Sequence, residues 1–258
     1  MALQVERQLV IQDLVRQHQT VRVDDLAEKL DVSANTIRRD LTMLEKQGVL
    51  KRTQGGAVVD DVSPLSATRQ SFDLRSGKYL TEKELIGRCA AQLVQPGSTI
   101  ILDSGTTTQQ LAYNLIPFER LTIATNSLEA AYRLIPYQHL TVILSGGILQ
   151  NSSRSLIGLP AEQFFAQIHA DQLFLAACGI SLERGLTNGN LHETPIKQKM
   201  IEVAKEVIVV ADSGKLGRVA LSAFASLDQI HKVITDVAAP PEMIAQLTRR
   251  GIEVIVAE

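Results

Sequence analysis

Asn35, Arg38 and Arg39 stand within five residues of one another. An asparagine amide can bond both edge positions of adenine, and an arginine fork can bond both major-groove acceptors of guanine. Ser33 and Thr36 flank them, where a helix start would leave backbone N–H groups open to a phosphate. Lys51, Arg52, Gln54, Gly55 and Gly56 follow closely. The lysine and arginine suit phosphate or the minor groove, and the glycine pair lets the chain turn close beside another backbone. Residues 33–58 carry five cations and two anions, a local charge of +3 in a chain of net −2. An isolated Arg-Arg pair reads first as a solvated face. The whole assembly in so short a stretch favours contact with a nucleic-acid duplex.

A second group of residues suits a small anion. Asp103-Ser104-Gly105-Thr106-Thr107 follows the apolar Ile100-Ile101-Leu102, and Thr125-Asn126-Ser127 follows an apolar run at 121–124. Ser145-Gly146-Gly147 follows Val142-Ile143-Leu144. Each is also ordinary turn chemistry. Three such loops at equivalent strand ends offer the backbone and hydroxyl donors of one phosphate cradle. Asp212-Ser213-Gly214-Lys215 adds a point charge at Lys215, which taken alone reads first as a surface lysine in a turn. Glu193 suits sugar hydroxyls, or else pairs with Lys197 four residues on as a first-turn helix glutamate. His192 has no other His or Cys at metal-ligand spacing, so no metal site is expected.

These residues need elements to hold them. Helical apolar spacing occurs at Leu3, Val10, Leu14 and Val15. A second helix is predicted over 24–30, with Asp24 as N-cap and Glu28 near its first turn. Ser33 caps a third helix to about Gln47, with Ile37, Leu41 and Leu44 on one face and Gly48 as its stop. Residues 49–59 predict two short strands around Thr53-Gln54-Gly55-Gly56. Together they describe a winged helix-turn-helix over 1–58. Residues 59–77 are mostly polar, with Pro64, and read as a linker that begins to pack near Phe72 and Leu74.

Residues 78–258 read as an α/β domain. Apolar, β-branched runs at 98–102, 121–124, 140–144, 172–177, 206–211, 232–235 and 252–256 predict buried parallel strands. Helical stretches at 107–115, 127–134, 161–168, 194–204 and 241–249 lie between most of them.

Composition excludes several classes. Hydrophobic residues make up 45% and charged residues 21% of 258, an ordinary globular balance. No apolar run reaches the roughly 18 residues of a membrane span. Residues 1–16 mix charges with apolar positions, unlike a signal peptide. Cys89 and Cys178 cannot build a disulfide framework, and a reducing cytoplasm is the expected compartment.

The stretch Val32-Ser33-Ala34-Asn35-Thr36-Ile37-Arg38-Arg39-Asp40-Leu41, with Leu44-Glu45, Gly48 and Arg52-Thr53-Gln54-Gly55-Gly56-Ala57, resembles the DNA-binding signature of the DeoR family of bacterial transcription regulators. That family usually has His where this chain has Gln54. The second half resembles the family's effector domain at the Asp103–Thr107 loop, Thr125-Asn126-Ser127, Gly146-Gly147, Gly158, Cys178-Gly179-Ile180, Gly185, Glu193, Lys197, Asp212 to Lys215, and Ile234-Thr235-Asp236. It departs at Gly214, where the family commonly has Ser. The resemblance implies an α/β effector domain related in fold to ribose-5-phosphate isomerase and the coenzyme A transferases, joined to a small N-terminal winged helix-turn-helix. It also adds Gly179 to the expected effector-binding residues.

The resulting expectation is a transcriptional regulator, a repressor of a carbohydrate-utilisation operon, controlled by a phosphorylated sugar. Its partners would be double-stranded operator DNA, the sugar phosphate and its own copies. A homodimer or homotetramer would set recognition helices about 34 Å apart on a repeated operator. No cofactor and no membrane are expected. The rival is a sugar-phosphate isomerase or a CoA-transferase-like enzyme with an appended helical domain. Isomerisation needs a carboxylate base beside the substrate carbons. Residues 176–181 offer none, leaving Glu193. A purely structural partner-binding protein is a third reading, disfavoured by the charge on the third helix.

Overall fold

The computed structural model describes residues 7, 8, 10–12, 14, 15, 20–46, 50–59 and 72–258. The chain divides into two units, Met1–Ala67 and Thr68–Glu258.

In the first unit, residues 7, 8, 10–12, 14 and 15 are helical. Strand β1 (Thr20–Arg22) leads into α1 (Val23–Lys29), then α2 (Ala34–Lys46), β2 (Leu50–Thr53) and β3 (Gly56–Val59). Ile11, Leu14 and Val15 meet Leu26 of α1 and Ile37, Leu41 and Leu44 of α2 in one apolar core. The α2 periodicity is thus the packed face that the sequence predicts. The hairpin β2–β3 forms as expected, and β3 also pairs with β1, a three-residue strand too short to leave a pattern.

Helix α1 differs from its expected start. It begins at Val23, with Arg22 as N-cap, so Asp24 sits in the first turn and Glu28 in the last. The cause is the hairpin. The Val23 N–H donates to Gly55 O at 2.9 Å, so the wing takes up one of the donors that the helix start leaves open. The positions Leu3, Gly48 and Val49 lie outside the described residues.

The second unit opens with α3 (Phe72–Gly77). The expected linker therefore ends before Phe72, whose side chain is buried. Residues 60–71 lie outside the described residues. Next come α4 (Leu80–Gln92), β4 (Thr99–Leu102), α5 (Thr106–Asn114), β5 (Thr122–Thr125), α6 (Leu128–Leu134) and β6 (Thr141–Leu144). The hairpin β7 (Ile148–Gln150) and β8 (Ser155–Ile157) precedes α7 (Leu159–Phe165) and β9 (Ala170–Leu175). Then follow β10 (Gly179–Ser181), β11 (Gly185–Asn188), α8 (Thr194–Val203), β12 (Ala204–Val210), β13 (Ser222–Ala225), β14 (Lys232–Asp236), α9 (Pro241–Arg249) and β15 (Glu253–Ala257).

Seven strands form one sheet in the order β15-β14-β12-β9-β4-β5-β6, every pair parallel. They are the seven apolar runs of the sequence. Alternate side chains feed two cores. Ile101, Leu173, Leu175, Val207 and Val209 face α7, α8 and α9. Ile100, Leu102, Phe174, Ile208 and Val210 face α4, α5 and α6. Strands β10, β11 and β13 form a separate antiparallel sheet.

The strand order reverses between β4 and β9. From β4 the chain proceeds outward through β5 and β6; from β9 it proceeds the other way through β12, β14 and β15. Ligands of open α/β sheets bind outside the strand carboxyl ends at such a reversal.

Candidate nucleic-acid interface and effector cavity

On α2 the buried residues are Ile37, Asp40, Leu41 and Leu44. That leaves Asn35, Arg38 and Arg39 exposed on the opposite side. The Ser33 hydroxyl accepts from the Thr36 N–H at 3.2 Å and meets the Thr36 hydroxyl at 2.9 Å, so the predicted cap forms. Arg38 Nη1 donates to Asn35 Oδ1 at 3.0 Å, which holds the two base-reading candidates side by side. Asp40 is buried and held by Arg7 Nε at 2.6 Å and Gln8 Nε2 at 3.1 Å. Its charge is spent locking α2 onto the preceding helical residues.

The wing presents Lys51, Arg52, Gln54 and Gly55 to solvent. Glu45 of the signature stretch and Thr42, which the sequence did not single out, fix it to α2. Glu45 Oε1 accepts from the Arg52 N–H at 2.9 Å, and Thr42 Oγ1 accepts from Arg52 Nη1 at 3.0 Å. Gly56 corrects its expectation. It is buried, and a Cβ there would fall 2.0 Å from Val21 O, so its backbone serves the pairing of β3 with β1.

In the second unit, a small cavity of ≈ 30 Å³ lies at the reversal between β4 and β9. Its walls include Ser104, Gly105, Thr106 and Thr107 after β4, Ala176, Ala177 and Cys178 after β9, and Ala211 and Lys215 after β12. Glu193 and Lys197 enter from the start of α8. Gly105 makes the approach possible, because a Cβ there would lie 2.7 Å from Ala176 Cβ. The cavity shares Arg75, Ser153, Cys178, Asn188 and Glu193 with a wider cleft of ≈ 460 Å³ that continues over Gln150, Ser152, Asn190, His192 and Leu221. The small cavity opens on the start of α5, where a helix leaves backbone donors unpaired, and the wider cleft is lined largely by polar residues. Ser104 Oγ is buried and has no hydrogen-bond partner among the described residues.

The charges are distributed unevenly. Lys197 Nζ donates to Asp103 Oδ2 and, at 2.9 Å, to Ala176 O. Asp103 also accepts from the Ala176 N–H at 2.9 Å. Burial pushes the Asp103 carboxyl above its ordinary value, while the Lys197 ammonium pulls it down. Lys197 therefore pairs with Asp103, not with Glu193. Glu193 Oε2 accepts from Asn188 Nδ2, and Cys178 Sγ donates to Asn188 Oδ1 at 3.2 Å. Lys215 is half-buried, and Asp236 accepts from the Ser213 N–H at 2.6 Å to fix its loop.

The structure thus brings together Ser104, Gly105, Thr106, Thr107, Glu193, Lys197 and Lys215, but not the rest of the expected cradle. Asp103 sits behind the wall. Asp212 is buried outside it, and its charge acts on the Lys83 ammonium. Thr125 Oγ1 donates to Leu102 O and accepts from the Ser127 N–H at 3.0 Å. Ser127 caps α6, and Asn126 Nδ2 donates to Leu156 O at 3.4 Å. Gly146 is exposed, and Gly147 packs against Ile157 O. Gly179 lies in β10 against the Arg218 carbonyl. The reason is strand order: residues 125–127 lie at the end of β5 and 145–147 follow β6, away from the reversal. Arg75, Ser153 and Asn188 were missed. The polar composition around Arg75 had marked it as linker, and Ser153 and Asn188 carry no local pattern.

Residues 7–62 match the DeoR-like helix-turn-helix domain, and residues 78–237 match the DeoR C terminal sensor domain. The chain belongs to the DeoR family. Among relatives of this DeoR-family chain, a putative aga operon transcriptional repressor of Escherichia coli O157:H7 is 36% identical over 249 residues, 96% of this chain and 92% of that protein. The HTH-type transcriptional repressor GlcR of Bacillus subtilis is 35% identical over 258 residues, 99% of this chain and 97% of that one. The glycerol-3-phosphate regulon repressor of Escherichia coli K12 is 33% identical over 250 residues, 97% and 98% of the two chains. Ribose 5-phosphate isomerase A of Methanocaldococcus jannaschii aligns with 54% of this chain and 55% of its own, at 18% identity and a TM-score of 0.40. The family is one of transcription regulators, and the enzyme reading gives way to it.

Proposed function

We propose that this chain is an operator-binding repressor of a carbohydrate operon whose affinity for DNA is set by a phosphorylated sugar. The observation that supports the ligand is the joined cavity and cleft. The phosphate would rest on the start of α5 (Thr106–Asn114), against Ser104, Thr107 and Lys215, and the hydroxylated body would lie along Asn188, Glu193 and Ser153. The repressors of the aga operon and the glycerol-3-phosphate regulon among its relatives agree with such a ligand class. Asn35, Arg38 and Arg39 would read bases, Ser33 and Thr36 would hold a phosphate, and Lys51, Arg52, Gln54 and Gly55 would follow the backbone as a wing. Two copies would present these surfaces to a repeated site. Such a protein works in the cytoplasm.

The test is fluorescence anisotropy on the chain's own promoter DNA against scrambled duplex, with and without a panel of sugar phosphates. Preference for the promoter, altered by one panel member, is the expected result. Equal binding to both duplexes overturns the reading.

A further inference from the structure

Arg75 is a cation to which neither the family signature nor the sequence assigns a role. It lies on α3 (Phe72–Gly77), the described element of the second unit nearest in sequence to the DNA-binding unit. It lines both the small cavity and the wider cleft. Nη2 donates to Ser152 O at 3.2 Å, and the guanidinium lies 5.9 Å from the Phe72 ring centroid. Its Nε is buried without a hydrogen-bond partner among the described residues. A guanidinium with a desolvated, unused donor where a small cavity joins the wider cleft is suited to an anionic or strongly accepting ligand.

The helix that carries Arg75 is held from outside itself. Six residues cannot sustain an isolated helix in water. Phe72, 2% exposed, the Arg75 hydrogen bond to Ser152 O and the buried Lys83 ammonium, which donates to the carbonyls of Arg75 and Lys78, hold it. A ligand bound to Arg75 would add a further anchor, shared with the start of α5 (Thr106–Asn114) and with Lys215.

We propose that Arg75 contacts the effector directly and that, through this contact, occupancy of the cavity secures α3 and so reaches the segment leading to the DNA-binding unit. Lys83 acts as a positioning residue, fixing the helix so that the guanidinium faces the cavity. The proposal rests on the effector reading above and adds to it the residue that carries the signal outward. Ligand binding and the state of α3 are then coupled in both directions, as linkage requires.

Hydrogen–deuterium exchange on the full chain tests this, with inorganic phosphate and, separately, glucose 6-phosphate as probes. In the unaltered protein, amides in 104–107 and in 72–79 slow together. Slowing of about tenfold at 72–79 corresponds to about 1.4 kcal/mol of added protection. With the probe raised until it saturates both proteins, the slowing in Arg75→Gln persists at 104–107 and disappears at 72–79. Arg75→Lys keeps the charge without the fork and gives an intermediate response, which also serves should Arg75→Gln fail to fold. Full protection of 72–79 in either variant overturns the proposal. Protection of 104–107 alone in the unaltered protein overturns it too, and leaves the effector site standing. Absence of protection at 104–107 with both probes overturns the site itself, and the proposal with it.

Discussion

The Lys197 ammonium donates to the Asp103 carboxylate where neither is open to water, their side chains being 3% and 0% exposed. This pair ties the start of α8 to the end of β4, the strand on one side of the sheet reversal. Removing one partner of a buried pair leaves the other charge uncompensated, which costs about 3–5 kcal/mol. Lys197→Met should therefore lower the urea midpoint strongly, and the double variant with Asp103→Leu should recover much of the loss. A single variant as stable as the parent would show that the pair does not hold the wall.

The same pair marks how far the sequence could be read. The seven apolar runs became the seven parallel strands, each displaced by no more than two residues; the inner strands are buried and carry an unbroken β-branched signature, whereas the edge strands β6 and β15 keep the apolar run though much of their length is exposed. Helix α4 was not among the predicted helices. Gly87 interrupts it, and the structure shows why: a Cβ there would lie 2.6 Å from the Gln110 carbonyl carbon, where α5 crosses closely. The cradle residues were legible as loop chemistry, but strand order selects which loops meet, and order is not written in any one loop. Lys197 and Asp103 were both singled out. That they neutralise each other across 94 positions is a property of the fold alone.

On the DNA side, the Arg38–Asn35 hydrogen bond presents a paired donor–acceptor surface. Arg38→Ala should cost roughly 1–3 kcal/mol of operator affinity and relax preference at one base pair. Binding isotherms on the promoter and on single-substituted duplexes would measure both. An unchanged affinity would remove Arg38 from the base-reading set.

Lys51 is exposed on β2 of the wing and has no base-reading geometry to lose. Lys51→Ala should weaken binding to all sequences alike and reduce the slope of log K against log salt by about one unit. A change of specificity with an unchanged slope would contradict a phosphate contact.

Lys215 and Thr107 line the same cavity from opposite sides of the reversal. A charged hydrogen bond contributes about 1.5–3 kcal/mol and a neutral one about 1 kcal/mol. Lys215→Ala should then move the effector response to roughly 10–100-fold higher ligand, and Thr107→Ala by only about fivefold. Titrations of the operator complex with the active sugar phosphate would separate the two. Equal, small shifts would remove Lys215 from the anion's contacts.

Lys83 gives the chain a specific alkaline signature. Burial lowers its pKa from the ordinary 10.5 to about 8, opposed by the charges of Asp212 and Glu82 and reinforced by Lys215 and Arg75. The unfolded chain keeps this proton up to 10.5, whereas the folded chain releases it near 8. Between those values the unfolded state binds more protons, so the Lys83 contribution to stability rises with pH, by up to about 3 kcal/mol across the window. Lys83→Met removes that rise. It also deprives the Arg75 and Lys78 carbonyls of their buried donor, a loss of about 1–3 kcal/mol at any pH. The gap in unfolding free energy between parent and variant should therefore be small near neutral pH, where the two effects offset, and widen toward about pH 10 as the ammonium deprotonates but still donates. Urea titrations of both proteins at the two ends of the window would measure the gap, and a constant difference would show that Lys83 titrates in the folded protein as it does in the unfolded chain.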